Sequence, residues 1–152
     1  MGYKQKKRLK PEALFSKELC SNAPYFKCSW TVIEDPKGIN ESNRHKHREL
    51  KRPCDGIFNS PDITRMLELK IDYRPLMDHQ LEKMLKENEV RPGSYLCVRK
   101  IRLKHQIKYR VDVWKREKGK YNNKAFQIIL FECNDLMDLF KFLMTWQIGG
   151  SI

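Results

Sequence analysis

Apolar positions recur along this chain at two different periods, and each period marks a different kind of element. From Pro11, which suits the first turn of a helix, Ala13, Leu14, Phe15 and Leu19 supply an apolar face up to about Cys20. Tyr25 to Ile33 is aromatic and β-branched and reads as a first strand, closed by the turn-forming run Glu34-Asp35-Pro36-Lys37-Gly38. Residues 38–52 have no period and read as an exposed loop. Gly56-Ile57-Phe58, the turn Asn59-Ser60-Pro61-Asp62 and then Ile63 to Ile71 read as strand, turn, strand. On the second of these strands alternation puts Ile63, Leu67, Leu69 and Ile71 on one face and Met66, Glu68 and Lys70 on the other. Pro75 to Asn88 returns to helical spacing through Leu76, Met77, Leu81, Met84 and Leu85, and Arg91-Pro92-Gly93 closes it. Tyr95 to Leu103, Ile107 to Lys115 and Phe126 to Phe131 are three further strands, the last two joined by a turn over Lys118 to Asn123. Asn134 caps a final helix through Gln147 with the stripe Leu136, Leu139, Phe140, Leu143 and Met144, and Gly149-Gly150 stops it.

The resulting order, α-β-loop-β-β-α-β-β-β-α, predicts an α/β fold in which helices flank a central mixed β-sheet. With 152 residues the chain amounts to one domain, expected over 11–152, preceded by a flexible basic tail over 1–10. The formal charge of +12 and pI near 9.6 point to a polyanionic partner, since each neutralised phosphate releases condensed counterions. Candidate phosphate contacts are Lys7 and Arg8 in the tail and Arg44, Lys46 and Arg48 in the basic loop. The strands between Arg99 and Lys120 carry ten Lys or Arg, among them Arg102, Lys104, Lys108 and Arg110. Five scattered cysteines without a C-x-x-C pair indicate reduced thiols. No segment reaches membrane-spanning length and no apolar stretch follows the basic N-terminus, so the expectation is no membrane partner and a cytoplasmic or other soluble intracellular compartment.

One constellation carries chemistry. Asp55 is followed thirteen residues later by Glu68-Leu69-Lys70, with Asp78-His79-Gln80 opening the next helix. Hydrolysis of a phosphodiester needs neutralisation of the non-bridging oxygens, an in-line deprotonated water and help for the leaving oxygen. Mg²⁺ or Mn²⁺ bound through Asp55, Glu68 and the backbone carbonyl of Leu69 meets the first need, because such hard cations take oxygen ligands and keep several waters. Lys70, on the same face as Glu68, is placed to orient or help deprotonate the attacking water and to stabilise developing charge. The bland alternatives are that Asp55-Gly56 is a turn dipeptide and that Glu68 and Lys70 are a solvated pair on an outer face. His79 reads as a cap or surface residue, and His45 and His47 lack partners at zinc spacing.

The order Asp55, turn, Glu68-x-Lys70, helix with Gln80 resembles the PD-(D/E)XK nuclease superfamily, whose fold is restriction-endonuclease-like. Within it, CDGIF…LELK…MDHQLEKM is similar to RecU-type and phage Holliday junction resolvases and to VRR-NUC nucleases, over roughly residues 50–100. The resemblance implies a catalytic role for Gln80 in positioning water or a substrate phosphate, and a further carboxylate from the first helix, which aligns with Glu18 and, as second choice, Glu12. The chain departs from the pattern in having Cys54 before the aspartate. Pro61-Asp62 offers a competing pair, but six residues before Glu68 leave no room for strand, turn and returning strand. The reading that follows is a Mg²⁺-dependent endonuclease of branched or duplex DNA, a Holliday junction resolvase acting as a homodimer, of a compact kind that suits a virus or phage. The alternative is a non-catalytic, basic nucleic-acid-binding protein with a nuclease-like fold.

Overall fold

The computed structural model describes residues 10–33, 54–116 and 124–147. Six strands form one sheet in sequential order: β1 (Ser29–Val32), β2 (Gly56–Asn59), β3 (Thr64–Ile71), β4 (Tyr95–Arg102), β5 (Ile107–Arg116) and β6 (Ala125–Cys133). All neighbours are antiparallel except β3 and β4, which run parallel and therefore need a crossover. Helix α2 (Asp78–Val90) supplies it. Helix α1 (Pro11–Asn22) precedes the sheet and α3 (Leu136–Thr145) follows it. The protein is α/β with a mixed sheet flanked by three helices, as the order of apolar periods predicts.

The helices divide between the two faces. Phe15 of α1 lies against Tyr109, Phe140 of α3 against Phe58, and Phe142 stacks on Phe131, so α1 and α3 cover one face together. Gln80 of α2 reaches Glu68 on the other. Because β3 is central and covered on both sides, its two faces are both buried. Leu67, Leu69 and Ile71 enter the apolar core, while Glu68 and Lys70 are 3 % and 5 % exposed, which removes the solvated-pair reading.

Several boundaries differ from those read in the sequence. The first strand begins at Ser29, not Tyr25, because Ala23–Phe26 form a 3₁₀ turn after α1 and Lys27 adopts left-handed geometry (φ 57°). Helix α2 starts at Asp78, not Pro75; Met77 is still extended, and its N–H is taken by Gln80 Oε1 at 2.9 Å. Asp135 rather than Asn134 caps α3, accepting from the Asp138 N–H at 2.8 Å, and the helix ends at Thr145. Ile63 lies in the turn before β3 and Arg65 takes the next inward position, a buried cation the alternation did not reveal. Its guanidinium donates to the carbonyls of Leu143, Gly93 and Trp146, tying α3 to the start of β3. Among the described residues no helix is long and apolar enough to cross a membrane. The expected basic tail, the loop over 38–52 and the turn over 118–123 include residues outside the described segments.

Candidate active site

Asp55 sits immediately before β2, and that position is fixed by Gly56. A Cβ at Gly56 would lie 2.5 Å from the Thr31 carbonyl and 2.6 Å from the Trp30 ring, so only glycine lets β1 pass this closely. The Asp-Gly dipeptide is thus a packing requirement at the head of a strand and not a turn. The Asp55 N–H donates to Leu67 O at 3.2 Å, and its Oδ2 accepts from the Leu69 N–H at 2.7 Å. β2 pairs with Thr64–Leu67 alone, so beyond Leu67 the edge of β3 has lost that partner and the Asp55 carboxylate takes its place. A strand residue turns its N–H and C=O to the same edge, so the Leu69 carbonyl also faces this side.

Glu68 projects from β3 toward α2 and is held at both oxygens. Gln80 Nε2 donates to Oε1 at 2.6 Å and the Tyr95 hydroxyl to Oε2 at 2.7 Å. Burial first, then the Asp55 charge, pushes the Glu68 carboxyl up to about 8, against the pull of Tyr95 and of Lys70. Without a bound cation Glu68 therefore keeps its proton at neutral pH, since a buried carboxyl beside a second carboxylate does not ionise cheaply. Burial, with Glu68 next, raises the neighbouring Cys54 thiol to about 11, so it stays protonated and is not a nucleophile. Tyr95, lifted by burial and then by Glu68, remains a hydroxyl donor.

Asp55, Glu68, Lys70 and Gln80 are accordingly brought together, and Leu69 presents backbone to the same place. Gln80 holds Glu68 and the start of its own helix. Glu18 is not part of the group. It faces the opposite side of the sheet, accepting from Lys100 Nζ at 2.5 Å and from the Tyr109 hydroxyl at 2.6 Å. Register explains this: Lys100 pairs with Ile71, whose side chain enters the core, whereas Lys70 pairs with Arg99. Glu12 lies 4.0 Å from Arg74. Tyr95 is the member that sequence reasoning missed. Its signal is the parallel register Met66 to Tyr95, which follows only once β3 and β4 are known to be adjacent.

The oxygen donors suit a hard divalent cation, and such a cation would relieve the repulsion that now forces a proton onto Glu68. Among the described residues no group of three or more His, Cys, Asp or Glu gathers at metal-binding geometry, so any ion held here would have two carboxylates and the Leu69 carbonyl as its protein donors. Mg²⁺, which keeps several waters, is compatible with that number.

The basic residues separate. Lys7, Arg8, Arg44, Lys46 and Arg48 lie outside the described segments. Lys108 and Arg110 both pair with Glu132, at 3.3 and 3.0 Å, on the face that carries Glu68. Arg102 points the other way and pairs with Asp72 at 2.8 Å. Lys104 is exposed in the turn between β4 and β5. Such partly exposed pairs are weak, about 0–1 kcal/mol each, and leave the cations able to exchange partners. Comparison with protein-family models and with curated proteins returns no match.

Proposed function

We propose that this chain hydrolyses phosphodiester bonds of structured or duplex DNA, with the arrangement of a restriction-endonuclease-like, PD-(D/E)XK nuclease. The observation that carries the proposal is the pair of buried carboxylates Asp55 and Glu68 beside the edge of β3 that β2 leaves open, Asp55 bonded to the Leu69 N–H, with Lys70 buried on the face that carries Glu68. Asp55, Glu68 and the Leu69 carbonyl would hold Mg²⁺ or Mn²⁺. When bound, the ion supplies neutralisation of the phosphate oxygens and a more acidic water. Lys70 contributes a fixed positive charge in a desolvated setting, where it stabilises the developing phosphorane charge more than it would in water. Gln80 and Tyr95 hold Glu68 in one orientation. Symmetric cutting of two strands calls for two sites related by a two-fold axis, so the working unit in this reading is a homodimer and the favoured substrate a four-way junction.

The test is incubation of the purified protein with labelled four-way, flapped and linear DNA, with Mg²⁺, with Mn²⁺ and with EDTA, alongside light scattering for mass. Metal-dependent products from the junction are expected. The absence of product from every substrate leaves the second reading, a non-catalytic nucleic-acid-binding protein. One observation favours that reading: both Glu68 oxygens are already occupied by Gln80 and Tyr95.

A further inference from the structure

Between β3 and α2 the chain crosses the sheet end as a loop, Asp72 to Met77, that is tied down from beneath. Asp72 has left-handed geometry (φ 55°), donates its N–H to Lys100 O at 2.9 Å and accepts from the Arg102 N–H at 2.8 Å. The buried Arg99 guanidinium donates to the Arg74 carbonyl and, at 3.5 Å, to that of Asp72. Held this way, the loop displays Tyr73 at 64 % exposure, and Met77 is exposed beside α2. The Tyr73 ring is not free-standing: the Arg110 guanidinium lies 5.5 Å from its centroid and covers one side.

Register locates that ring relative to the candidate site. Lys70 pairs with Arg99 and Arg99 with Arg110, so the three lie in one row across β3, β4 and β5 on the face that carries Glu68. Neighbouring strands are about 4.8 Å apart, which puts Arg110 about 10 Å from Lys70. This is about three rises of 3.4 Å along a stacked DNA strand, and fewer along an extended one.

We propose that Tyr73, backed by Arg110, is a stacking platform for an unpaired nucleobase a few nucleotides from the phosphate held at Asp55 and Glu68. This rests on the phosphodiesterase reading and narrows its substrate to DNA with single-stranded or opened bases. An aromatic ring gains from stacking only on a base face that is not already covered, so a blunt duplex offers it nothing, while a branch point or single strand does. The neighbouring cation adds attraction for the base and its phosphate. A rigid loop lowers the ordering cost of presenting the ring.

The experiment measures binding in EDTA, where nothing is cut, of the full chain to a fluorescent single strand carrying 2-aminopurine, a four-way junction and a blunt duplex. Tyr73→Ala is expected to weaken single-strand and junction binding by roughly tenfold. It should leave duplex binding unchanged and abolish quenching of the 2-aminopurine, while Tyr73→Trp retains both. Unchanged single-strand affinity in Tyr73→Ala, an equal loss on all three probes, or no binding to any of them overturns the inference. Cleavage with Mg²⁺ is read separately: cutting that persists with unaltered single-strand affinity in Tyr73→Ala removes the platform alone. Tyr73-dependent binding with no cutting of any substrate removes the nuclease reading and supports the platform.

Discussion

The Tyr95 hydroxyl donates to Glu68 Oε2 at 2.7 Å, from the strand that runs parallel to the one bearing Glu68. This bond favours the ionised carboxylate, while burial and Asp55 oppose it. In Tyr95→Phe the Glu68 carboxyl therefore rises further above about 8 and competes more strongly with a cation for its oxygens. We expect the Mg²⁺ concentration for half-maximal cutting at pH 7 to increase by roughly ten- to a hundredfold, as for other residues that orient a metal ligand. The gap should narrow at pH 9, where solution removes the proton unaided. An identical shift at both pH values would show that Tyr95 acts by packing alone.

Removing either carboxylate charge separates cutting from binding. Asp55→Asn keeps an oxygen for the Leu69 N–H, and Glu68→Gln keeps one for Gln80, so both variants should fold. Cleavage is expected to fall by roughly a hundredfold or more in each, with affinity for junction DNA nearly unchanged. Quantitative cleavage gels and fluorescence anisotropy check the two halves. Wild-type cutting by either purified variant would dismiss the metal site.

The same pair predicts how stability depends on pH when no divalent cation is present. Glu68 binds its proton with a value of about 8 in the fold against an ordinary 4.5, so between these limits the folded chain holds a proton that the unfolded chain has lost. Stability is then greatest below about 4.5 as far as this group is concerned, declines as pH rises through the window, and levels off above about 8. The slope for one proton is at most about 1.4 kcal/mol per pH unit. Urea melts in EDTA should show the decline, Glu68→Gln should remove it, and saturating Mg²⁺ should flatten it. A slope that persists in Glu68→Gln would assign it to another group.

Much of this was legible in the residues. Strong periods gave the order of strands and helices, and alternation along β3 put Glu68 and Lys70 on one face, where both are buried. Tertiary pairing decided the rest. Glu18 has the right residue type on the right helix, yet the alternation of β4 sends Lys100, its partner, to the face away from Lys70. Arg65 interrupts an apolar row and is buried only because three carbonyls from distant segments converge on it. Gly56 has the appearance of a turn residue until β1 is placed across it. No local pattern encodes which strands are neighbours, and each of these positions depends on that.

Arg99 and Asp112 form a buried ion pair on the α2 face, Nε to Oδ1 at 3.0 Å, with Gln127 Nε2 donating to the other carboxylate oxygen at 2.9 Å. Both side chains are almost wholly out of water, 4 % and 0 % exposed. Deleting one partner strands the other charge, and Asp112→Leu or Arg99→Met is expected to cost about 3–5 kcal/mol in urea melts. Replacing both, Arg99→Met with Asp112→Leu, removes the stranded charge and should recover most of that loss, because a buried ion pair is often no better than an apolar pair of similar volume. Cutting should not recover with it. Arg99 also holds the carbonyls of Asp72 and Arg74, and without those bonds the loop that leads into Gln80 and displays Tyr73 loses its anchor. Single variants that lose less than about 1 kcal/mol would refute the energetic half. A double variant that cuts like wild type would refute the link from Arg99 through the loop to the site.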